Sequence, residues 1–294
     1  MKDRLNIIGG EWIYYKIYLG PKTADNFLSH EIKLLVDYLT ANNLIEKWFF
    51  IRYNDPQPHL RIRYKCNTSQ LPLVINMMYE ILYPLVQNHT IWKVQNETYN
   101  REIERYGLYT IELAESFFFH DSNMIIDFLS NHKNDDEKRW LFALKAIDHH
   151  LNLFKYTLLE KRDLLEKLSV NFKSEFANSK ELNSGLSNKF RENRSKIVDF
   201  IEKNDGNTDL ANILSNKNKN LSATADKTLK ILVDDTSLNI NSFNASLIHM
   251  MLNRIFKSKN RMNEFVCYDF LFKYYHSKIA MEKYNILDGG IINL

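Results

Sequence analysis

The stretch FFIRYNDPQPHLRIRYK, residues 49–65, decides how this chain is read. Its two arms are rich in aromatic and β-branched residues, and the NDPQP segment between them supplies the prolines and short polar residues of a turn. Two such arms around a turn make an antiparallel hairpin. Side chains alternate along a strand, so Leu60, Ile62 and Tyr64 share one face while His59, Arg61, Arg63 and Lys65 share the other. The apolar face is expected to look into the core. The basic face puts Arg61 and Arg63 two strand rises apart, roughly 3.3 Å each, where unopposed they repel one another. Alternation leaves two readings open. One is a solvated outer face; the other is a site for a carboxylate or phosphate, because a guanidinium offers paired donors that match those anions. Arg52, on the first arm, fits either a binding role or a structural salt bridge.

Working outward, WIYYKIYL (residues 12–19) is aromatic and β-branched and predicts a strand, and residues 23–42 have helical spacing behind a Thr/Asp start. After the hairpin, a second helix is predicted over about residues 70–87, and TIWKVQNETY after it as another strand. The order β-α-β-β-α-β is that of a split, ferredoxin-like antiparallel sheet. All five prolines lie at or before Pro84, and from about residue 111 the sequence turns helical: IELAESFFFHDSNMIIDFL, then a long stretch from Glu137 to Leu168, then shorter helices. The fold class expected is therefore α+β. A sheet subdomain over residues 1–120 carries the arginine hairpin and packs with a larger helical subdomain over residues 121–294. Residues 203–220, KNDGNTDLANILSNKNKN, are rich in Asn and Lys and read as a surface connection without chemistry.

With 294 residues, 45% of them apolar, the chain can bury a sizeable core, and a net charge of +3 is too small for a general nucleic-acid coat. Any anion site must be local. The N-terminus has no long apolar stretch behind its charges and no run of about 20 apolar residues follows, which predicts a cytoplasmic protein without a membrane span. Cys66 and Cys267 are isolated, which argues against a disulfide framework or a zinc site. His149 and His150 are adjacent, so on a helix they diverge by about 100° and cannot chelate one metal together. With only eight glycines there is no phosphate loop, dinucleotide fingerprint or nucleophile elbow, and neither metal nor cofactor is expected.

Two further segments hold candidates for chemistry. In NREIERYGLYTIELAE (residues 100–115), Arg105 and Tyr106 precede Gly107, whose backbone freedom would aim Arg105 away from its neighbours. In SLIHMMLNRIF, His249 and Asn253 lie four apart and so on one helix face, with Arg254 next to them. Each also has an ordinary structural reading, a surface arginine at an element boundary and a histidine in an apolar helix.

The early W-x-Y-x-K-x-Y strand, the FFIRYNDPQPHLRIR hairpin, the EIERYG segment and the late IHMMLNR helix together resemble the C-terminal glutamate-elimination domain of class I lanthipeptide dehydratases. That domain also occurs as a separate chain in thiopeptide-type bacteriocin pathways. The resemblance covers nearly the whole chain, though residues 120–240 offer no motif to compare. It implies a lyase of ribosomal-peptide natural product biosynthesis. Such an enzyme removes glutamate from glutamylated Ser or Thr of a precursor peptide and leaves dehydroalanine or dehydrobutyrine. Carried over residue by residue, it implies catalytic roles for Arg61, Arg63, Arg105 and His249. Arg52, His59, Tyr106, Asn253 and Arg254 are the candidates for substrate binding. The implied partners are the glutamylated peptide and a separate glutamyl-tRNA-dependent glutamylation protein, since the large glutamylating domain is not in these residues. A downstream cyclase and a second copy of the chain are further candidate partners; nucleic acid is not expected to bind directly.

Two alternatives come with it. Stand-alone members that form a pyridine ring by [4+2] cycloaddition in thiopeptides tend to lose the elimination residues that this chain keeps. A non-catalytic peptide- or RNA-binding module would use Trp12, Tyr14, Lys16 and Tyr18, which share one strand face.

Overall fold

The computed structural model describes residues 4–176, 180–202, 208–235 and 238–289. It begins with a two-residue strand β1 (Leu5–Asn6), followed by β2 (Trp12–Tyr18), α1 (Pro21–Phe27), a single π-helical turn, and α2 (Lys33–Ala41). The hairpin strands β3 (Lys47–Tyr53) and β4 (His59–Lys65) come next, then α3 (Leu71–Gln87), β5 (Lys93–Asn96) and β6 (Tyr99–Asn100). From there the described chain is helical: α4 (Ile103–Tyr106), α5 (Ile111–His132), α6 (Asp136–Leu153), α7 (Leu158–Glu175), α8 (Lys180–Glu202), α9 (Thr208–Asp234), α10 (Ile240–Ile255) and α11 (Asn260–Gly289). The fold is a helix-rich α+β arrangement with small antiparallel sheets.

Four strands form one antiparallel sheet in the order β3-β4-β2-β5, while β1 and β6 pair as a separate ribbon that the sequence pattern did not disclose. The strand register sets Arg61 opposite Lys16 and Ile51, and Arg63 opposite Tyr14 and Phe49. One face carries Ile13, Ile17, Trp48, Phe50, Leu60, Ile62 and Tyr64, each at most 1% exposed. Fully burying such a side chain contributes about 1.5–3 kcal/mol, so this face anchors the sheet. Helix α3 supplies a buried stripe of Val74, Met78 and Leu82 at four-residue spacing. The first helix starts two residues earlier than the sequence pattern suggested, with Pro21 at its opening turn, where a missing N–H costs nothing.

The basic face is not a solvated exterior. His59 and Arg63 are 4% and 8% exposed, and Trp12, Tyr14 and Tyr18 opposite them are also buried. Alternation predicted which residues share this face; it could not show that distant helices and aromatic rings close over it.

Edge strand β3 would present unpaired backbone groups to solvent, a hazard that folds manage by covering the edge. Here helix side chains do so. The Phe50 N–H donates to Ser122 Oγ of α5 at 3.2 Å, and the Arg52 N–H donates to Asn253 Oδ1 of α10 at 2.8 Å. Asn253 Nδ2 donates back to the Arg52 carbonyl at 2.9 Å, and Trp48 Nε1 donates to Asn123 Oδ1 at 2.9 Å. Helix α10 begins where Asn239 Oδ1 caps the Asn241 and Ser242 N–H groups.

The chain forms two compact units: residues 1–136 with 215–258, and residues 137–214 with 259–294. A boundary at 120 falls inside the continuous helix α5, and His249 lies in the same unit as the sheet rather than in the helical one. In the second unit α7 and α11 pack along one another, with the Phe172 ring 5.5 Å from Tyr268. The predicted long helix 137–168 is two helices: Lys155 takes a positive φ and Thr157 opens α7 in a capping box with Glu160. Of the predicted connection 203–220, residues 203–207 lie outside the described residues and 208–220 are helix. Leu210, Leu214 and Lys217 are buried at helical spacing beneath the Asn/Lys-rich surface.

Candidate active site

Most cations near the sheet are matched. Arg52 Nη2 donates to Asp25 Oδ1 at 2.6 Å and its Nε to the Arg254 carbonyl at 2.9 Å. Arg101 is held by both carboxylate oxygens of Glu115, at 2.7 and 2.9 Å, which Tyr99 also reaches. Lys16 pairs with Glu97, Lys65 with Glu46 and Lys217 with Asp121, at 2.7, 2.7 and 2.6 Å. Arg61, Arg63 and Arg254 differ: among the described residues none has a carboxylate within ion-pair distance.

Arg61 lies half-buried with its Cζ 3.5 Å from the Tyr53 ring centroid, and its Nε donates to His59 Nε2 at 3.1 Å. Arg63 sits inside an aromatic enclosure, its Cζ 4.1 Å from Tyr14, 4.7 Å from Tyr99 and 5.2 Å from Phe49, with Nε lacking a hydrogen-bond partner. Burial pushes its guanidinium below the usual range, and the charge of Arg61 adds to this. Arg254 is wholly buried. Its Cζ is 4.9 Å from Phe118 and 5.9 Å from Phe49, Nη1 donates to the Met250 carbonyl at 2.6 Å, and Nε and Nη2 have no partner. Burial lowers it to about 10, and Arg63 presses in the same direction. Phe49 thus lies near two buried cations, and Arg254 feels the charge of Arg63.

The E-R-Y-G segment is built as its glycine suggests. Short helix α4 ends at Gly107 with φ +76°, where a Cβ would meet Thr110 Oγ1 at 2.6 Å, so a side chain there is excluded. Tyr106 is buried, edge-on to Phe118 and Phe243 at 5.2 and 6.2 Å. Arg105 is turned to the surface, donating from Nε to Ser246 Oγ at 3.1 Å and from Nη1 to Glu102 Oε2 at 3.3 Å. The charge of Glu102 is also felt by Arg63, so this carboxylate connects the two arginines electrostatically. His249, half-buried, lies on α10 one turn beyond Ser246 and one turn before Asn253. The helix residue that touches Arg105 and the one that clamps Arg52 therefore bracket it.

The structure brings Arg61, Arg63, Arg105 and the His249 helix into the sheet unit. It gives other work to several residues expected to touch substrate. Arg52 is tied to Asp25, Asn253 spans the Arg52 peptide, Tyr106 anchors the turn, and Arg254 lies beneath the face with no exposed surface. Tyr53, Tyr99, Glu102 and Ser246 carry no local sequence signal that marks them as site residues, and Tyr14 stands out only as part of a stacking face. Only the strand register could have paired Tyr14 with Arg63, and nothing local points to Ser246. The aromatics of the RNA-binding alternative are buried, which leaves Trp12, Tyr14 and Tyr18 no open stacking platform. An open depression of about 580 Å³ on α3, lined by Leu71, Pro72, Ile75, Asn76 and Tyr79, holds no cation. Among the described residues no three His, Cys, Asp or Glu side chains are placed to hold a metal, and no helix is long and apolar enough to cross a membrane.

Residues 12–275 match the family model for the lantibiotic biosynthesis dehydratase C-terminal region. The nisin biosynthesis protein NisB of Lactococcus lactis subsp. lactis is 30% identical over 164 residues, which are 54% of this chain and 16% of NisB. The subtilin biosynthesis protein SpaB of Bacillus subtilis is 25% identical over 195 residues, 65% of this chain and 19% of SpaB. The chain thus spans less than a quarter of the length of these two relatives. Among solved structures, the tRNA-dependent lantibiotic dehydratase MibB of Microbispora sp. 107891 superposes with a TM-score of 0.67 at 18% identity, over 91% of this chain and 28% of MibB. The pyridine synthase TbtD from thiomuracin biosynthesis superposes with a TM-score of 0.62 at 11% identity, over 89% of this chain and 96% of TbtD. Because the family match runs through the hairpin, the E-R-Y-G turn and the His249 helix, the chain belongs to the lantibiotic biosynthesis dehydratase C-terminal family.

Proposed function

We propose that this chain eliminates glutamate from glutamylated Ser or Thr residues of a ribosomal precursor peptide, giving dehydroalanine or dehydrobutyrine. The observation that carries this reading is the set of cations without carboxylate partners on and beneath one sheet face, in a unit where neighbouring cations are paired. Such a set is poised for an incoming anion.

The chemistry asks for this arrangement. A base takes the proton from Cα, its electron pair forms the Cα–Cβ double bond, and the Cβ–O bond breaks with its pair leaving on the glutamate carboxylate. Charge develops first toward the peptide carbonyl and then on the carboxylate. Arginines aimed where that charge appears stabilise the transition state more than the ground state; one such donor is worth about 10²–10³ in rate. Arg61, Arg63 and Arg105 divide this task with the binding of the glutamate side-chain carboxylate. His249 transfers the proton, a contribution of about 10²–10⁴. Glutamyl transfer from glutamyl-tRNA is assigned to a partner protein or region outside the matched residues, and the product would pass to a cyclase.

The test supplies a chemically glutamylated precursor peptide and follows release of glutamate by mass. Wild type is expected to release it and His249→Ala to release it at least about 10²-fold more slowly; equal rates would remove His249 from the mechanism. Superposition over nearly the full length of TbtD favours a second reading, pyridine formation from two dehydroalanines. A peptide that already carries dehydroalanines, cyclised with release of its leader, would establish it in place of elimination.

A further inference from the structure

His59 resembles a substrate contact by its place in the H-L-R-I-R motif, yet it is 4% exposed and both ring nitrogens are already engaged. Nδ1 lies 2.8 Å from the Gln57 carbonyl, a pure acceptor, so Nδ1 carries the proton. Nε2 lies 3.1 Å from Arg61 Nε, which is always a donor, so Nε2 holds a lone pair. The two contacts require the same neutral tautomer. The ring itself cannot turn freely, stacked 4.7 Å from Tyr18 of β2 and tilted 5.5 Å from Tyr53 of β3.

The consequence falls on Arg61. Its guanidinium plane rests on Tyr53 and its Nε is fixed by His59, so two constraints set the direction of the fork. Both Nη groups are left without a hydrogen-bond partner among the described residues. We propose that His59 is a positioning residue: it fixes Arg61 through Nε and so presents the two Nη groups as a pair to the glutamate carboxylate. This inference rests on the elimination reading and assigns the place within it where bidentate recognition occurs. A fork locked at Nε loses little entropy when it takes the anion, whereas a free arginine must order several torsions first.

The surroundings hold His59 in its neutral form. Burial lowers its basicity most; the charges of Arg61 on β4 and Lys16 on β2 act in the same direction, and the Gln57 carbonyl and Asp55 of the turn oppose them. Tyr18 and Tyr53 are the other titratable groups against the ring. Protonation at Nε2 would set N–H against N–H and release the guanidinium.

The test is a double-mutant cycle in elimination of a glutamylated peptide. His59→Phe keeps a ring between Tyr18 and Tyr53 and removes the acceptor; His59→Gln retains an acceptor. His59→Phe is expected to lower kcat about 10²-fold, the cost of a small misplacement of a catalytic group, and His59→Gln to recover most of it. In an Arg61→Ala background His59→Phe should cost nothing further. An undiminished loss in that background would overturn the proposal, because His59 would then act through packing. Nitrogen-15 NMR of the imidazole gives a readout independent of catalysis. A protonated Nδ1 and bare Nε2 at pH 7, with histidine basicity rising in Arg61→Ala, support the contact; the opposite tautomer refutes it. If wild type releases no glutamate, the elimination reading fails on its own and the NMR result still decides the His59–Arg61 contact.

Discussion

Replacing Arg254 by methionine should make this protein more stable and less active. A guanidinium that burial lowers to about 10 bears a penalty of about 3 kcal/mol in its charged form, each pKa unit of depression being roughly 1.4 kcal/mol. Below pH 10 the group is charged both folded and unfolded, so the whole penalty is present at pH 7. Methionine of similar length removes it. The substitution also gives up the bond to the Met250 carbonyl, about 1 kcal/mol, and the contacts with Phe118 and Phe49, together about 1 kcal/mol. The balance is a gain of about 1 kcal/mol, in line with buried charges replaced by well-packed apolar groups. For a chain of this size that is an upward shift of roughly 2–4 °C in a thermal melt at pH 7. Elimination should meanwhile slow by at least about tenfold, or ~1.4 kcal/mol, because the positive charge beneath Arg63 is gone. A drop of several degrees in the melt would mean instead that the Arg254 charge is compensated in the native protein.

The buried pair behaves oppositely. Asp25→Asn should cost about 3–5 kcal/mol because Arg52 is left a buried cation, while replacing both residues by leucine and methionine should restore most of it; denaturant midpoints of the two variants check this. Acid should also destabilise the fold. Burial holds His59 and His120 below the usual histidine value, so the unfolded chain binds more protons as pH falls through about 6.5. Stability is full above that pH and is lost progressively below it, until the depressed folded values are reached. Denaturant midpoints at pH 7.5 and 5.5 measure the change, and a rise at the lower pH would contradict it.

The element order was legible because each segment carries its own signal: alternation in residues 47–65, four-residue stripes in α3, turn residues between them. The environment of the hairpin was not. Periodicity assigns Arg63 to a face but says nothing of Tyr14 and Tyr99 closing over it, and Asn253 reaches β3 from 201 residues away. The same limit explains residues 208–220, where Leu210, Leu214 and Lys217 bury a stripe that the Asn/Lys-rich composition obscures. At the candidate site, Arg61, Arg63, Arg105 and His249 stood out only through a resemblance. Their local patterns by themselves fitted ordinary surface charges and a histidine in an apolar helix better than a site. Which of the neighbouring cations are paired, as Arg52 is with Asp25 and Arg101 with Glu115, is knowledge that only tertiary structure holds.

The most direct test is a single-turnover reaction of the purified protein with one glutamylated precursor peptide, read by mass, for wild type and for Arg61→Lys. Wild type is expected to release one glutamate per modified residue and leave a dehydroamino acid. Arg61→Lys, which keeps the charge but loses the planar fork, is expected to be slower by about 10²-fold or more. A glutamylated peptide returned unchanged by wild type, or glutamate released equally fast by Arg61→Lys, would rule out elimination through the Arg61 fork.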